Sequence, residues 1–256
     1  MRMAGLLEVC ADSVCSAVNA ARGGADRIEL CSALPLGGLS PDEDLFCMVR
    51  ERVDIPVRVL LRPRAGDFLY DEDEFELLCR QVSRFAGLGA DGIVIGMLNP
   101  DGTLDAERMS ALMTYGDGCG VTLHRAFDVC RAAHEALRTA KELGVDTILT
   151  SGQQARCADG APLLRELVSE SGEGLRILIG GGVNADVIRA LAPQTGADAF
   201  HLSAKTAVPS GMEFRREAVP MGAAGLNEFE LWRCDEGAVR AAREALDAVC
   251  TARKEN

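Results

Sequence analysis

Residues 24–31 read Gly-Ala-Asp-Arg-Ile-Glu-Leu-Cys, and this stretch decides the fold. The glycine suits the left-handed end of a helix. The aspartate can turn the chain through its own backbone bonds, and a short apolar strand follows. The triplet returns as Gly89-Ala90-Asp91, Gly144-Val145-Asp146 and Gly196-Ala197-Asp198, each time between a helical pattern and an aliphatic run. Upstream, residues 6–10 form a first strand. Val14, Ala17, Val18 and Ala21 then recur at helical spacing until Gly23 and Gly24 stop the helix. Further strands are expected at 27–31, 57–61, 92–97, 121–128, 147–150, 176–179 and 200–203. Helices are expected near 42–51, 74–88, 105–113, 131–143, 162–169, 185–191 and 236–249. Eight strands alternating with eight helices predict a single-domain (β/α)8 TIM barrel over residues 1–256. The four triplets precede the even-numbered strands, at the face where barrels keep stability devices. The competing fold, a doubly wound open sheet, wants a GxGxxG turn after its first strand. Cys10-Ala11-Asp12-Ser13 stands there instead.

Of 256 residues, 48% are apolar and only 4% aromatic, so the core is aliphatic. The net charge of −12, with no basic cluster, argues against nucleic-acid partners and against an anionic membrane surface. The N-terminal MRMAGLLEVCAD meets Glu8 and Asp12 too early for a signal peptide. No segment approaches the ~20 apolar residues needed to cross a bilayer. The expected location is therefore the cytosol, where ten cysteines are thiols rather than a disulfide framework.

In a barrel, chemistry gathers at the C-terminal ends of the strands. Strand one ends Glu8-Val9-Cys10 and strand two ends Glu29-Leu30-Cys31. Side chains alternate along a strand, so all four polar groups face the interior if Val9 and Leu30 face the helices. Two close buried carboxylates would push one pKa up and suit acid–base work. The structural alternative is that each pairs with an arginine. Strand three supplies Arg62 and Arg64, two apart and hence on one face. They can neutralise the glutamates or clamp an anionic ligand. Asp67 and Tyr70 can reach inward from the following lip. On strand five, VTLHRAFD (residues 121–128), His124 and Asp128 share a parity. His124 is the best acid–base candidate, and Asp128 its orienting partner. Arg125, of the other parity, braces the strand or pairs at the rim. His134 is expected to be solvated in the middle of a helix. Strand seven runs into Gly180-Gly181-Gly182, and strand eight ends His201-Leu202-Ser203-Ala204-Lys205. Loops after strands seven and eight often hold a phosphate on backbone N–H groups. Gly181, Gly182, His201 and Ser203 are thus candidate ligand-binding positions, with a tight turn as the plain alternative.

Taken together, LEVCADSVCSAVNAARGGADRIELCS, LLRPRAGDFLY, LHRAFD, LTSGQ, IGGGV, FHLSA and SGMEFR resemble the CutC family of copper homeostasis proteins along nearly the whole chain. The resemblance implies a cytosolic (β/α)8 barrel associated with copper tolerance. It also implies Cu(I) binding at the positions of Cys10 and Cys31, in keeping with the preference of soft metals for thiolates. Two thiols suffice for a copper carrier. Glu8, Glu29, His124, Arg62 and a glycine cradle suggest in addition an enzyme acting on a small anionic or phosphorylated metabolite, with no organic cofactor, or a metabolite sensor. Schiff-base chemistry would require Lys205 to face inward. The segment 206–234 is too long for an ordinary loop. It is expected to close over the mouth or to lie in the interface of a homodimer.

Overall fold

The computed structural model describes residues 5–216, 218–219 and 227–253. Among them, eight parallel strands close into a barrel in sequence order. They are β1 (Leu6–Ala11), β2 (Arg27–Leu30), β3 (Val57–Leu60), β4 (Gly92–Ile95), β5 (Gly120–Leu123), β6 (Thr147–Thr150), β7 (Arg176–Ile179) and β8 (Ala199–Leu202). The first seven helices are α1 (Val14–Arg22), α2 (Glu43–Arg50), α3 (Glu72–Gly87), α4 (Ala106–Tyr115), α5 (Ala133–Leu143), α6 (Ala161–Ser171) and α7 (Ala185–Thr195). The chain ends in α8 (Glu236–Ala252). No helix among the described residues is long and apolar enough to cross a membrane.

The glycines of all four triplets are left-handed, with φ between +79° and +94°. Their aspartates act differently from the expectation. Instead of turning their own backbone, three of them lock the preceding strand. Asp26 accepts from the N–H of Leu7 at 2.7 Å, Asp91 from Val57 at 2.8 Å and Asp146 from Val121 at 2.7 Å. Each staple ties the entry to an even strand to the start of the odd strand before it. Each aspartate also meets an arginine: Arg243, Arg50, Arg58 and, for Asp198, Arg176.

Strand alternation divides the core in two. Leu7, Val9, Ile28, Leu30, Val57, Val59, Ile93 and Ile95 belong to the main core that joins sheet and helices. Burying each such side chain contributes about 1.5–3 kcal/mol. The alternate positions point into the barrel, where small apolar groups (Cys31, Leu60 and Val94; Leu149, Leu178 and Ala199) are interleaved with polar ones. Arg58 crosses the lower interior to Thr122 (2.7 Å) and Asp146 (2.7 and 3.0 Å). Its path exists because β4 and β5 begin with glycine. A Cβ at Gly120 would lie 2.4 Å from the Arg58 guanidinium, and one at Gly92 would lie 2.9 Å from its stem.

Two stretches depart from the sequence reading. Strand five stops at Leu123, and residues 125–129 form a single 3-10 turn. His124 caps that turn, its Nδ1 accepting from the N–H of Ala126 at 3.1 Å. Segment 206–234 is not a plain loop. Lys205–Pro209 (β9) and Glu230–Cys234 (β10) pair as an antiparallel ribbon, while residues 217 and 220–226 lie outside the described residues. The ribbon is moored to α1, where Asn19 donates to the carbonyl of Cys234 and the N–H of Cys234 donates to Ser16.

Candidate functional site

The register of β1, β2 and β8 builds a buried polar group. Glu8 lies beside Arg27 on one side and His201 on the other, while Cys10 lies beside Glu29. Fully buried Glu8 is gripped at both oxygens. Arg27 Nε donates to Oε2 at 2.5 Å, and His201 Nδ1 lies 2.8 Å from Oε1. Burial would raise the carboxyl's pKa, but Arg27 and His201 hold it down at about 2. Glu29 has the same local sequence and the opposite setting. Its neighbour on β3 is Arg58, which is committed to Asp146. His201 Nε2 is 4.0 Å from Oε1 of Glu29, and Oε2 is buried with no hydrogen-bond partner. Burial therefore pushes Glu29 up to about 7, with His201 opposing and Glu8 adding. For His201, burial alone would lower the pKa, but Cys10, Glu29 and Glu8 outweigh it and raise it well above 6.5.

Both cysteines of the repeated words face this group. Cys31, one pleat above Glu29, is fully buried, and its Sγ lies 3.6 Å from the carbonyl of Ala11. Burial, Cys10, Glu29 and Asp12 push its thiol well up. Cys10, beside Glu29 in the register, is buried, and its charge is among the causes that raise the His201 pKa. All ten cysteines are free.

The other expected residues are placed differently. His124 is not joined to the glutamates. Its ring packs at 4.8 Å on Phe68, and a Cβ at Gly96 would lie 2.6 Å from it. Burial, and secondarily Arg62, drop its pKa to about 3, so it stays neutral with Nε2 unpartnered. Asp128 does not orient it. The 3-10 turn swings Asp128 to the end of β6, where it accepts from Thr150 Oγ1 (2.5 Å), the N–H of Ser151 (3.0 Å) and the N–H of Gln153 (3.2 Å). Arg125 joins it there at 2.7 Å, a rim pair.

Arg62 and Arg64 do not share a face, because the strand ends before them and Pro63 turns the chain. Arg62 is buried and stitches the roof. Nη1 donates to the carbonyls of Leu36 and Gly38, Nη2 donates to Gly66, and the guanidinium lies 5.1 Å over Phe68. Arg64 is on the outside with Glu74 (2.5 Å) and exposed Asp67 (3.0 Å), so neither arginine neutralises the glutamates and Asp67 does not reach inward. Tyr70 is buried, 4% exposed.

Gly181 and Gly182 have φ of +96° and +83°. The carbonyl of Gly181 accepts from the N–H of Cys157, and a Cβ there would stand 3.0 Å from Ser151. Close approach of the loop after β6 is thus one reason for glycine. Asn184 caps α7 through the N–H of Val187. Ser203 is half-buried, whereas Lys205 is exposed and lies over Trp232, which removes the Schiff-base option. His134 sits in the first turn of α5, not mid-helix, and bonds Glu170.

Sequence reasoning missed Arg27 as the counter-charge and His201 as the bridge between the two glutamates. Parity could have found Arg27, which is two residues from Glu29. A recess of about 800 Å³ opens at the opposite, N-terminal face and is lined by Arg27, Arg58, Asp146, Arg176 and Arg253 among others. Its size does not make it the site, because Arg58, Asp146 and Arg176 there are engaged in the strand-locking pairs above.

The CutC family model matches residues 5–206. A Bacteroides fragilis protein named as a CutC family protein is 44% identical over 88% of this chain and 90% of its own length. The human copper homeostasis protein cutC homolog is 42% identical over 92% of this chain and 86% of its own. The crystal structure of a putative copper homeostasis protein CutC from Streptococcus agalactiae superposes with a TM-score of 0.73. It is 26% identical over 78% of this chain and 98% of that one. With the family model matched over more than half of the chain and relatives this similar, the chain belongs to the CutC family.

Proposed function

We propose that the protein takes part in copper homeostasis by holding Cu(I) between Cys10 and Cys31 at the C-terminal mouth of the barrel. The observation that carries this is the placement of two buried, free thiols one pleat apart at the ends of adjacent strands. Soft thiolates select Cu(I) over harder ions. The raised pKa of Cys31 keeps it a neutral thiol in the metal-free protein, so binding must expel a proton and should strengthen with pH. The human relative's name points the same way. The abundance of free thiols fits a cytosolic location. Anaerobic titration against a chromophoric Cu(I) competitor should give one ion per chain, lost in the Cys10→Ser, Cys31→Ser double variant. Unchanged stoichiometry in that variant would overturn the reading.

A second reading is acid–base catalysis on a small anionic metabolite, and the orphaned Glu29 carboxyl favours it. A group poised near pH 7 beside a histidine suits proton transfer. Glu29 and His201 would move protons while Glu8, fixed by Arg27, orients His201. Gly181, Gly182 and Ser203 would hold the anionic end. His124, neutral and packed on Phe68, would shape the wall. Turnover of a metabolite pool should survive Cys31→Ser and vanish in Glu29→Gln. Loss in both variants would tie any activity to the thiols and remove this reading.

A further inference from the structure

We propose that His201 and Glu29 form the centre of a binding site for a borderline divalent cation of the zinc class, distinct in chemistry from the copper pair. Three observations meet there. The potential ligand atoms of Glu8, Glu29 and His201 all lie within 4.8 Å of one another. Glu8 already occupies Nδ1 of His201 at 2.8 Å and is itself held by Arg27 at 2.5 Å. A carboxylate on one imidazole nitrogen is the usual way to aim the other at a metal. That other nitrogen, Nε2, stands 4.0 Å from Glu29 Oε1, too far for a hydrogen bond. An ion bound at about 2.0–2.2 Å to each would span such a gap. Glu29 is 5% exposed and its Oε2 has no partner, so the carboxylate aimed into the gap has an unmet need.

The donor set fixes the class of ion. One imidazole and one carboxylate make a mixed N and O set. Magnesium and calcium want oxygen alone. Cu(I) prefers sulfur, whereas zinc accepts both nitrogen and oxygen. Charge agrees, because Arg27 offsets Glu8 and leaves Glu29 to meet the cation. The roles also divide cleanly, with Cys31 serving copper only and Glu29 serving the divalent ion only.

The test uses the full chain stripped of metal and Co²⁺ as a coloured probe, followed by displacement with Zn²⁺. The expected result is one equivalent of Co²⁺ with visible bands, reversed by Zn²⁺, and a rise in melting temperature on adding Zn²⁺. Glu29→Gln should weaken uptake at least tenfold while Cys15→Ser, at an exposed thiol outside the site, leaves it intact. Glu8→Gln, acting through His201, should cost about 10–100-fold. Circular dichroism of each variant separates lost binding from lost fold. Absence of Co²⁺ uptake by the wild type, or unchanged uptake in a folded Glu29→Gln protein, would overturn the proposal. The copper reading fails separately, by absent Cu(I) binding in a protein that still takes up Co²⁺.

Discussion

Replacing Arg27 by alanine is expected to lower the free energy of unfolding by about 3–5 kcal/mol, the cost of stranding one member of a buried ion pair. Glu8 is completely buried, and Arg27 is its nearest counter-charge at 2.5 Å. Without the guanidinium the carboxylate must take up a proton or remain as an uncompensated charge. His201 stays on the other oxygen and softens the loss, which places the expected value toward the lower end. Urea or guanidinium denaturation reads it as a lower midpoint. Changing both partners, in Glu8→Gln with Arg27→Met, should cost less than Arg27→Ala alone, because no charge is then abandoned. A loss below about 1 kcal/mol, the range of an exposed pair, would mean that water reaches Glu8.

The barrel was legible because its determinants are local. The Gly-Ala-Asp triplets sit at left-handed helix ends, and aliphatic runs alternate with helical patterns at nearly the positions observed. The site was legible in part. Glu8, Cys10, Glu29 and Cys31 face the interior as parity requires, since their strands remain extended to their ends. The same rule misled for Arg62 and Arg64 and for His124 and Asp128, because parity holds only while the chain stays extended. Pro63 turns one pair apart, and the His124 cap winds the next residues into a 3-10 turn. The contrast between Glu8 and Glu29 depends on something no short motif contains. Glu-Val-Cys and Glu-Leu-Cys read alike, yet register sets Glu8 beside an available arginine and Glu29 beside one drawn away to Asp146. Two glycines on other strands give Arg58 that route. The electrostatics of one residue are thus decided by missing side chains across the barrel.

That contrast yields an unusual dependence of stability on pH. An acid whose folded pKa is raised binds its proton more tightly when folded, so it favours the fold while protonated and the benefit disappears as pH rises. Glu29, moved from the usual 4.5 to about 7, should cost progressively more between those values. The whole displacement is worth about 3 kcal/mol. His201, raised above 6.5, adds stability that is complete below 6.5 and lost as pH climbs through its folded value. Glu8, lowered to about 2, works in the other direction, since its stabilisation is present above 4.5 and lost as pH falls toward 2. The three together predict that this cluster stabilises most near pH 4.5 and less at neutrality. Other carboxylates also titrate across this range, so the decisive quantity is the difference between wild type and Glu29→Gln. Unfolding midpoints at pH 4.5, 5.5 and 7 should show the variant gaining on the wild type by about 3 kcal/mol as pH rises. Parallel curves would mean that Glu29 is already ionised in the folded protein near its usual pKa.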